Sequence, residues 1–436
     1  MFASGSISDA KGAGVELNRR QMLMAAAAAP VAGRLDAAPL PAGARSDDET
    51  YWAKVAAQYD VIPDIIQLEN GNWGMMARPV LEQYEAAVRQ VNRATSYYAR
   101  RGLAPDLIAV RARVATKLGV APEEIAFTRN ATEALKALIG GYNRLRAGDA
   151  VLYADLDYDS MQACFDSLEK SRGVDVVRIA LPEPATHQGL IDCYEAALKA
   201  NPRVRLILLT HLSHRTGLVI PIREIVAMAR ARGVDAIVDA AHSWGQLDFS
   251  LPDLDADFVG LNLHKWVGAP LGVGALYIRK TKVELIDPDI ANEPPFAATA
   301  QARVHTGTVD FAAQLTVPAA LDFQDRIGDT ARAARLRYLR DLWAEPLRDT
   351  PGVDILTPAD ARLHGGITSF RLTGRISEAD NIAVAKRLLD DHRIFSVHRT
   401  GPARGACVRI TPALFNGPGD VDMLARAIRA LISSPH

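Results

Sequence analysis

The chain has 436 residues, enough for a large core and more than one domain. It carries 50 basic against 51 acidic side chains, and this balance argues against a nucleic-acid binder. A hydrophobic content of 49% fits a globular protein, and the three scattered cysteines, Cys164, Cys193 and Cys407, form neither a disulfide framework nor a zinc motif.

The N-terminus reads as a leader. Paired Arg19-Arg20 precede a short apolar run to about Gly33, then Pro- and Ala-rich chain with Ala42-Gly43-Ala44 as a cleavage site. The run is too short to span a bilayer. The pattern resembles a twin-arginine export signal, although Met22 stands where Phe is commoner. Residues 1–44 are thus expected to be a signal peptide, with no membrane contact beyond export. The mature protein is then periplasmic, or cytoplasmic if the leader does not function.

Beyond residue 50, helical and strand patterns alternate. "VRARVATKLGV" has helical spacing, "EEIAFT" is a strand, and "TEALKALIGGYNRL" is a helix with Gly140-Gly141 as a weak point. "AVLYA" is a strand, "DSMQACFDSLEKSRG" a helix ending at Gly173, and "VDVVRIAL" and "VRLILLTHLS" are strands. Next come the helix "PIREIVAMARARG" and the strands "VDAIVDA", "DFVGLNL" and "GVGALYIRK". Strands that read as continuous apolar runs between helices predict an α/β fold with a mostly parallel sheet covered on both faces. This large domain is expected over 95–310.

Residues 45–94 are read as an N-terminal segment contributing to the small domain and the active site. The small α+β domain is expected over 311–436. It holds the helix "ARAARLRYLRDLWAEPL", the strand "GITSFRLTG", the helix "EADNIAVAKRLLDDH", the strands "FSVHRT" and "ACVRIT", and a last helix "DVDMLARAIRALI".

Ligands of open α/β sheets sit beyond the carboxyl ends of the strands. After "EEIAFT", Asn130, Ala131 and Thr132 open a helix, where free N–H groups and the dipole suit a phosphate, although Asn and Thr are also ordinary caps. After "AVLYA" comes Tyr158, a ring that can stack on a planar ligand. After "VDAIV" comes Asp239, a carboxylate that burial makes costly unless a donor or cation meets it, with His242 three residues on. Lys265 follows the strand "DFVGLNL" in an otherwise apolar run. A buried lysine with a depressed pKa attacks aldehydes and forms a Schiff base. Lysine, carboxylate, anion site and flat ring together match the needs of pyridoxal 5'-phosphate (PLP).

"VDAAHSWGQ" with "LNLHKWVGAPLGVGALYIR" resembles the class V aminotransferase family of fold-type I PLP enzymes, and in particular its isopenicillin-N-epimerase-like members. The likeness runs from "ENGNWGMM" at 69–76 to "VRITPALFNGPGD" at 408–420. It implies that Lys265 binds the cofactor and moves the Cα proton, that Asp239 pairs the pyridinium, and that His242 lies near the ring. Tyr158 would stack on the ring, with Ala131, Thr132, Asn262 and His264 at the phosphate. "HTGTVD" implies that Thr308 reaches a partner subunit's phosphate, hence a homodimer with shared sites. Arg409 would hold the substrate carboxylate, with Asn72 nearby. His214 stands where the family commonly has an Asn touching the cofactor's phenolic oxygen. Tyr97, Tyr98, Arg100 and Arg101, in a segment where the family varies, read as a solvated helix end, with side-chain recognition of an acidic or polar substrate as the other possibility.

Loss of a Cα proton is common to racemisation, transamination and elimination. A sulfur-relay enzyme needs a thiolate on a mobile loop, and neither Cys407, in a strand pattern, nor Cys164, in a helix pattern, suits that. The expected function is therefore action on a small-molecule amino-group substrate, an amino acid or peptide-linked amino group. Transamination or a related oxidative or epimerising step leads, with C–S lyase or epimerase as alternative and a non-catalytic PLP-binding sensor as a further one. No metal is expected.

Overall fold

The short apolar segments between residues 125 and 278 assemble into one seven-stranded sheet in the computed structural model, which describes residues 44–294 and 298–433. The expected leader, up to residue 43, lies outside the described residues. After β1 (Ile66–Gln67), a two-residue strand, come β2 (Ile125–Thr128), β3 (Ala150–Ala154), β4 (Asp175–Ile179), β5 (Val204–Thr210), β6 (Asp235–Asp239), β7 (Phe258–Asn262) and β8 (Gly274–Ile278). The sheet order is β2-β8-β7-β6-β5-β3-β4.

Strands β3 to β7 run parallel, whereas β8 runs antiparallel to both β7 and β2. The reversal has a simple cause. The connection from Asn262 to Gly274 is too short for the helical crossover a parallel return requires. Every residue of β3, β7 and β8 is buried, because helices cover both faces of the sheet through separate apolar clusters.

The helix Ala131–Gly141 starts at the carboxyl end of β2, capped by Asn130 Oδ1, which accepts from the Glu133 N–H at 2.8 Å. It lies close on β7: a Cβ at Gly260 would press into Leu135. Sequence patterning carries this helix to residue 145, but it stops at Gly141. Tyr142 is already extended, and its buried ring is anchored by a hydroxyl that donates to Asp235 at 2.6 Å.

A second sheet is antiparallel, with order β12-β13-β10-β9, from β9 (Val353–Ile355), β10 (Thr368–Leu372), β12 (Val397–Arg399) and β13 (Cys407–Ile410). The expected single strand "FSVHRT" is divided. Strand β11 (Ile394–Phe395) pairs in parallel with β1, and the chain then switches partners at Ser396 so that β12 can pair with β13. The helices Asp329–Ala344, Glu378–His392 and Pro418–Ser433 help to enclose a third apolar cluster around Trp343 and Phe370. The helix Phe311–Ile327 begins where the small domain is expected to start.

The helix Arg78–Arg101 is interrupted at Thr95, with φ 41° and ψ −130°. Beyond it Tyr97 is exposed, while the Tyr98 hydroxyl donates to Asp106 at 2.5 Å. Among the described residues no helix is long and apolar enough to cross a membrane.

Candidate active site

The carboxyl ends of β5, β6 and β7 open onto one cavity of about 370 Å3. The residues expected to hold cofactor or substrate line it except Thr308, which is exposed on the 305–310 segment; Tyr97, Tyr98, Arg100 and Arg101 do not line it either. Asn72 reaches the cavity from the loop after β1, and His214 from the loop after β5.

Lys265 sits on the short return between β7 and β8. Its Nζ lies 2.8 Å from His242 Nε2. Burial pushes the amine down from 10.5 to about 8, against the opposing pull of Asp239. On the far side of the imidazole, Trp266 Nε1–H donates to His242 Nδ1 at 3.3 Å. Burial also holds His242 well below the usual histidine range, with the Lys265 charge acting in the same direction. The chain passes close overhead: a Cβ at Gly74 would overlap the Lys265 carbonyl oxygen.

Asp239 ends β6, 5% exposed. One carboxylate oxygen accepts the Ala241 N–H at 2.9 Å, and among the described residues no cation forms an ion pair with it. Burial raises its pKa. This buried, half-satisfied acid suits a protonated ring nitrogen.

At the helix start the Ala131 N–H is spent within the protein, donating to Asn262 Oδ1 at 2.8 Å. The pair locks helix to strand, and both residues also line the cavity. The amide and hydroxyl of Thr132 make no hydrogen bond among the described residues and line the cavity at the positive end of the helix. His264 lines it too, with Nδ1 3.0 Å from the Val273 carbonyl, which orients the ring. Tyr158 meets His214 edge-on, with centroids 5.2 Å apart. Burial drives the pKa of His214 well below the ordinary value, with Arg215 adding to the effect, so a neutral imidazole stands where the family commonly has Asn.

Arg409 is fully buried on β13, and burial lowers its guanidinium to about 10. Its Nη1 donates to the His214 carbonyl at 2.7 Å, and its Nη2 forms an ion pair with Glu69. The arginine expected to be free for substrate therefore already holds a carboxylate. Sequence reasoning missed Glu69 as a site residue. It missed Arg399 too, which lines the cavity 3.6 Å from the same Glu69 oxygen. The available signal was an acid directly after the apolar stretch Ile65-Ile66-Gln67-Leu68.

The donor set fits PLP: a deep amine, a buried acid met only by a backbone N–H, the open Thr132 donors at a helix start and an aromatic wall. Comparisons with known proteins agree. The model of "Aminotransferase class-V" matches residues 76–402. The chain is 30% identical over 400 residues to the isopenicillin N epimerase of Amycolatopsis lactamdurans, covering 88% of this chain and 99% of that protein. It is 28% identical over 398 residues to a probable chloroplastic L-cysteine desulfhydrase of Arabidopsis thaliana, covering 85% and 83%. Among solved structures, the cysteine desulfurase CsdA of Escherichia coli superposes with a TM-score of 0.73 at 21% identity, covering 88% of this chain and 98% of that one. A C-DES structure with glycine covalently linked to its PLP cofactor gives 0.73 at 22% identity, covering 87% and 98%. The fold is that of PLP fold-type I, the cofactor is pyridoxal 5'-phosphate, and the chain belongs to the class V aminotransferase family.

Proposed function

We propose that this enzyme labilises the Cα–H bond of an amino acid or peptide-linked amino group and returns the proton to a carbon of the same framework, as in transamination or epimerisation. The observation that carries the reading is the Lys265 amine, poised near neutrality 2.8 Å from His242 inside the cavity. When bound, PLP supplies a ring that accepts the electron pair released at Cα. Lys265 takes and returns the proton, as an amine with pKa near ambient pH does best. His242 holds that amine by its Nε2. Asp239 would keep a negative charge at the ring-nitrogen end, Thr132 at the helix start would hold the phosphate, and Tyr158 would close one wall.

Relatives named isopenicillin N epimerase support the epimerising variant. Relatives named L-cysteine desulfhydrase favour a second reading, direct C–S elimination. A sulfur relay through an enzyme thiol has less support. Burial pushes the Cys407 thiol up to about 11, and neither Cys164 nor Cys193 lines the cavity.

The test is incubation of holoenzyme with amino acids in deuterium oxide, reading Cα deuteration, enantiomer ratio, keto acid and sulfide. Deuteration with keto acid or inverted product is expected. Sulfide with no Cα exchange supports elimination, and no exchange with any amino acid or peptide overturns the reading. Export and a homodimer with shared sites belong to the same proposal. A mature N-terminus that retains Arg19-Arg20 counters cleavage, and a monomeric mass by light scattering counters the dimer.

A further inference from the structure

A second cavity, of about 300 Å3, shares no lining residue with the first. It opens between the helix Asp329–Ala344 and the loops that follow β5 and β6, and its volume is that of a small-molecule site. Val219, Leu247, Ala333, Ala334 and Ala361 give it apolar walls.

Its inner end holds Arg337 and His364. Arg337 is half-buried, its Nε is buried with no partner, and among the described residues its guanidinium forms no hydrogen bond or ion pair. Other arginines of the same helix are engaged: Arg332 with Asp329, Arg335 with Glu49 and Arg340 with Asp341. His364 is 3% exposed, and its Nδ1 is buried without a hydrogen-bond partner. Burial, with Arg340 acting in the same direction, lowers its pKa to about 4, so the ring is neutral. Asp248 stands at the exposed rim. One of its oxygens accepts from the Thr330 hydroxyl at 2.5 Å, and among the described residues no cation pairs with it. Arg362, the remaining charge on the wall, is closed by Asp360 at 2.6 Å.

Buried polar groups are normally hydrogen-bonded, so an unpartnered imidazole nitrogen beside an unpaired guanidinium calls for a ligand. We propose that this cavity is a second binding site, for a free α-amino acid with a small apolar side chain. Arg337 and His364 take its carboxylate at the inner end, Asp248 takes its ammonium at the rim, and the apolar walls take the side chain. The spacing suits a zwitterion. Thr330, which marks the position of Asp248, and Arg337 are seven residues apart on one helix, about 10 Å along its axis. An arginine side chain leans back toward the helix N-terminus, which leaves a gap that one zwitterion bridges with a hydrogen bond at each end. An amine alone leaves Arg337 and His364 unmet, and a carboxylic acid alone leaves Asp248 unmet.

The test uses holoenzyme whose cofactor has been fixed to Lys265 with borohydride, which prevents covalent capture of amino acids in the first cavity. Titration calorimetry reads the binding of alanine, valine and leucine beside the matching amines and the matching carboxylic acids. One amino acid per chain is expected, bound at least about tenfold more tightly than the amine and several-fold more tightly than the acid. Arg337→Gln is expected to weaken binding at least about tenfold, with Arg337→Lys restoring part of it. Asp248→Asn is expected to weaken it several-fold and to remove the preference over the acid. Cofactor uptake at the wild-type rate identifies variants that have folded. Binding that survives both Arg337→Gln and Asp248→Asn overturns the inference, and so does the absence of binding by all three amino acids. Neither result bears on the action at Cα, which is read with unreduced enzyme.

Discussion

Trp266→Phe tests how the site keeps Lys265 ready. An indole N–H can only donate. His242 Nδ1, which receives it at 3.3 Å, must therefore be the bare nitrogen, and the one proton of the neutral imidazole sits on Nε2. Across 2.8 Å that proton can be given only to an unprotonated Lys265 amine. With its pKa lowered from 10.5 to about 8, the amine is free base in about one molecule in ten at pH 7, against about one in three thousand for an ordinary lysine. Charged groups acting on this amine besides Asp239 are Glu69, Arg399 and Arg409. Phenylalanine keeps a ring in the buried position but removes the donor. The imidazole proton can then move to Nδ1, and Nε2 can accept from the ammonium form of lysine. That charge-assisted bond is stronger than the neutral one by about 1 kcal/mol, so the free-base fraction at pH 7 falls roughly five- to tenfold. The assay follows cofactor uptake by apoprotein through the visible band across pH, because only the free amine attacks the aldehyde. The variant should take up PLP five to ten times more slowly at pH 7, with its inflection displaced to higher pH. An unchanged rate and inflection would falsify the tautomer argument and leave Trp266 as packing.

Three further outcomes follow from buried contacts. Glu69→Ala strands Arg409 without its carboxylate and should cost about 3–5 kcal/mol in urea unfolding; a loss below about 1 kcal/mol counts against a true buried pair. Gly74→Ala forces the Lys265 backbone aside, so a destabilisation of about 1–3 kcal/mol with slowed cofactor uptake is expected, and wild-type uptake speaks against close passage of the loop. Burial pushes the Asp157 carboxyl from 3.8 up to about 7, so the folded chain keeps a proton that the unfolded chain has released. Its stabilising contribution is complete below pH 3.8 and gone above about pH 7. The stability of Asp157→Asn relative to wild type should rise with pH across that window and then level off. A flat difference contradicts the assignment.

Strands β3, β5, β6 and β7 were legible because burial on both sheet faces writes itself as unbroken apolar runs. Lys265 and Asp239 were legible for the opposite reason, as charges standing where those runs end. Local pattern failed where a distant partner decides. Gly140-Gly141 marks a weak point in the helix, but nothing local shows that Tyr142 leaves it for Asp235, 93 residues away. Nothing in "FSVHRT" shows that its two ends serve different strands. Glu69 and Arg409 are 340 residues apart, and neither carries a mark of the other. The helix start was read correctly as a cap, but the spending of its first amide on Asn262 depends on how helix and strand dock.

The parallel pairing of β1 with β11 bears on when the site comes into being. The segment at 66–70 is among the earlier parts of the chain to leave the ribosome, yet it pairs with residues 394–411. A nascent chain can lay down the seven-stranded sheet while those partners are still unmade. It cannot close the basic end of the cavity, because Arg399, Arg409 and Thr411 are not yet there. Assembly of the basic end of the cavity is thus a post-translational event, in whichever compartment the finished chain folds.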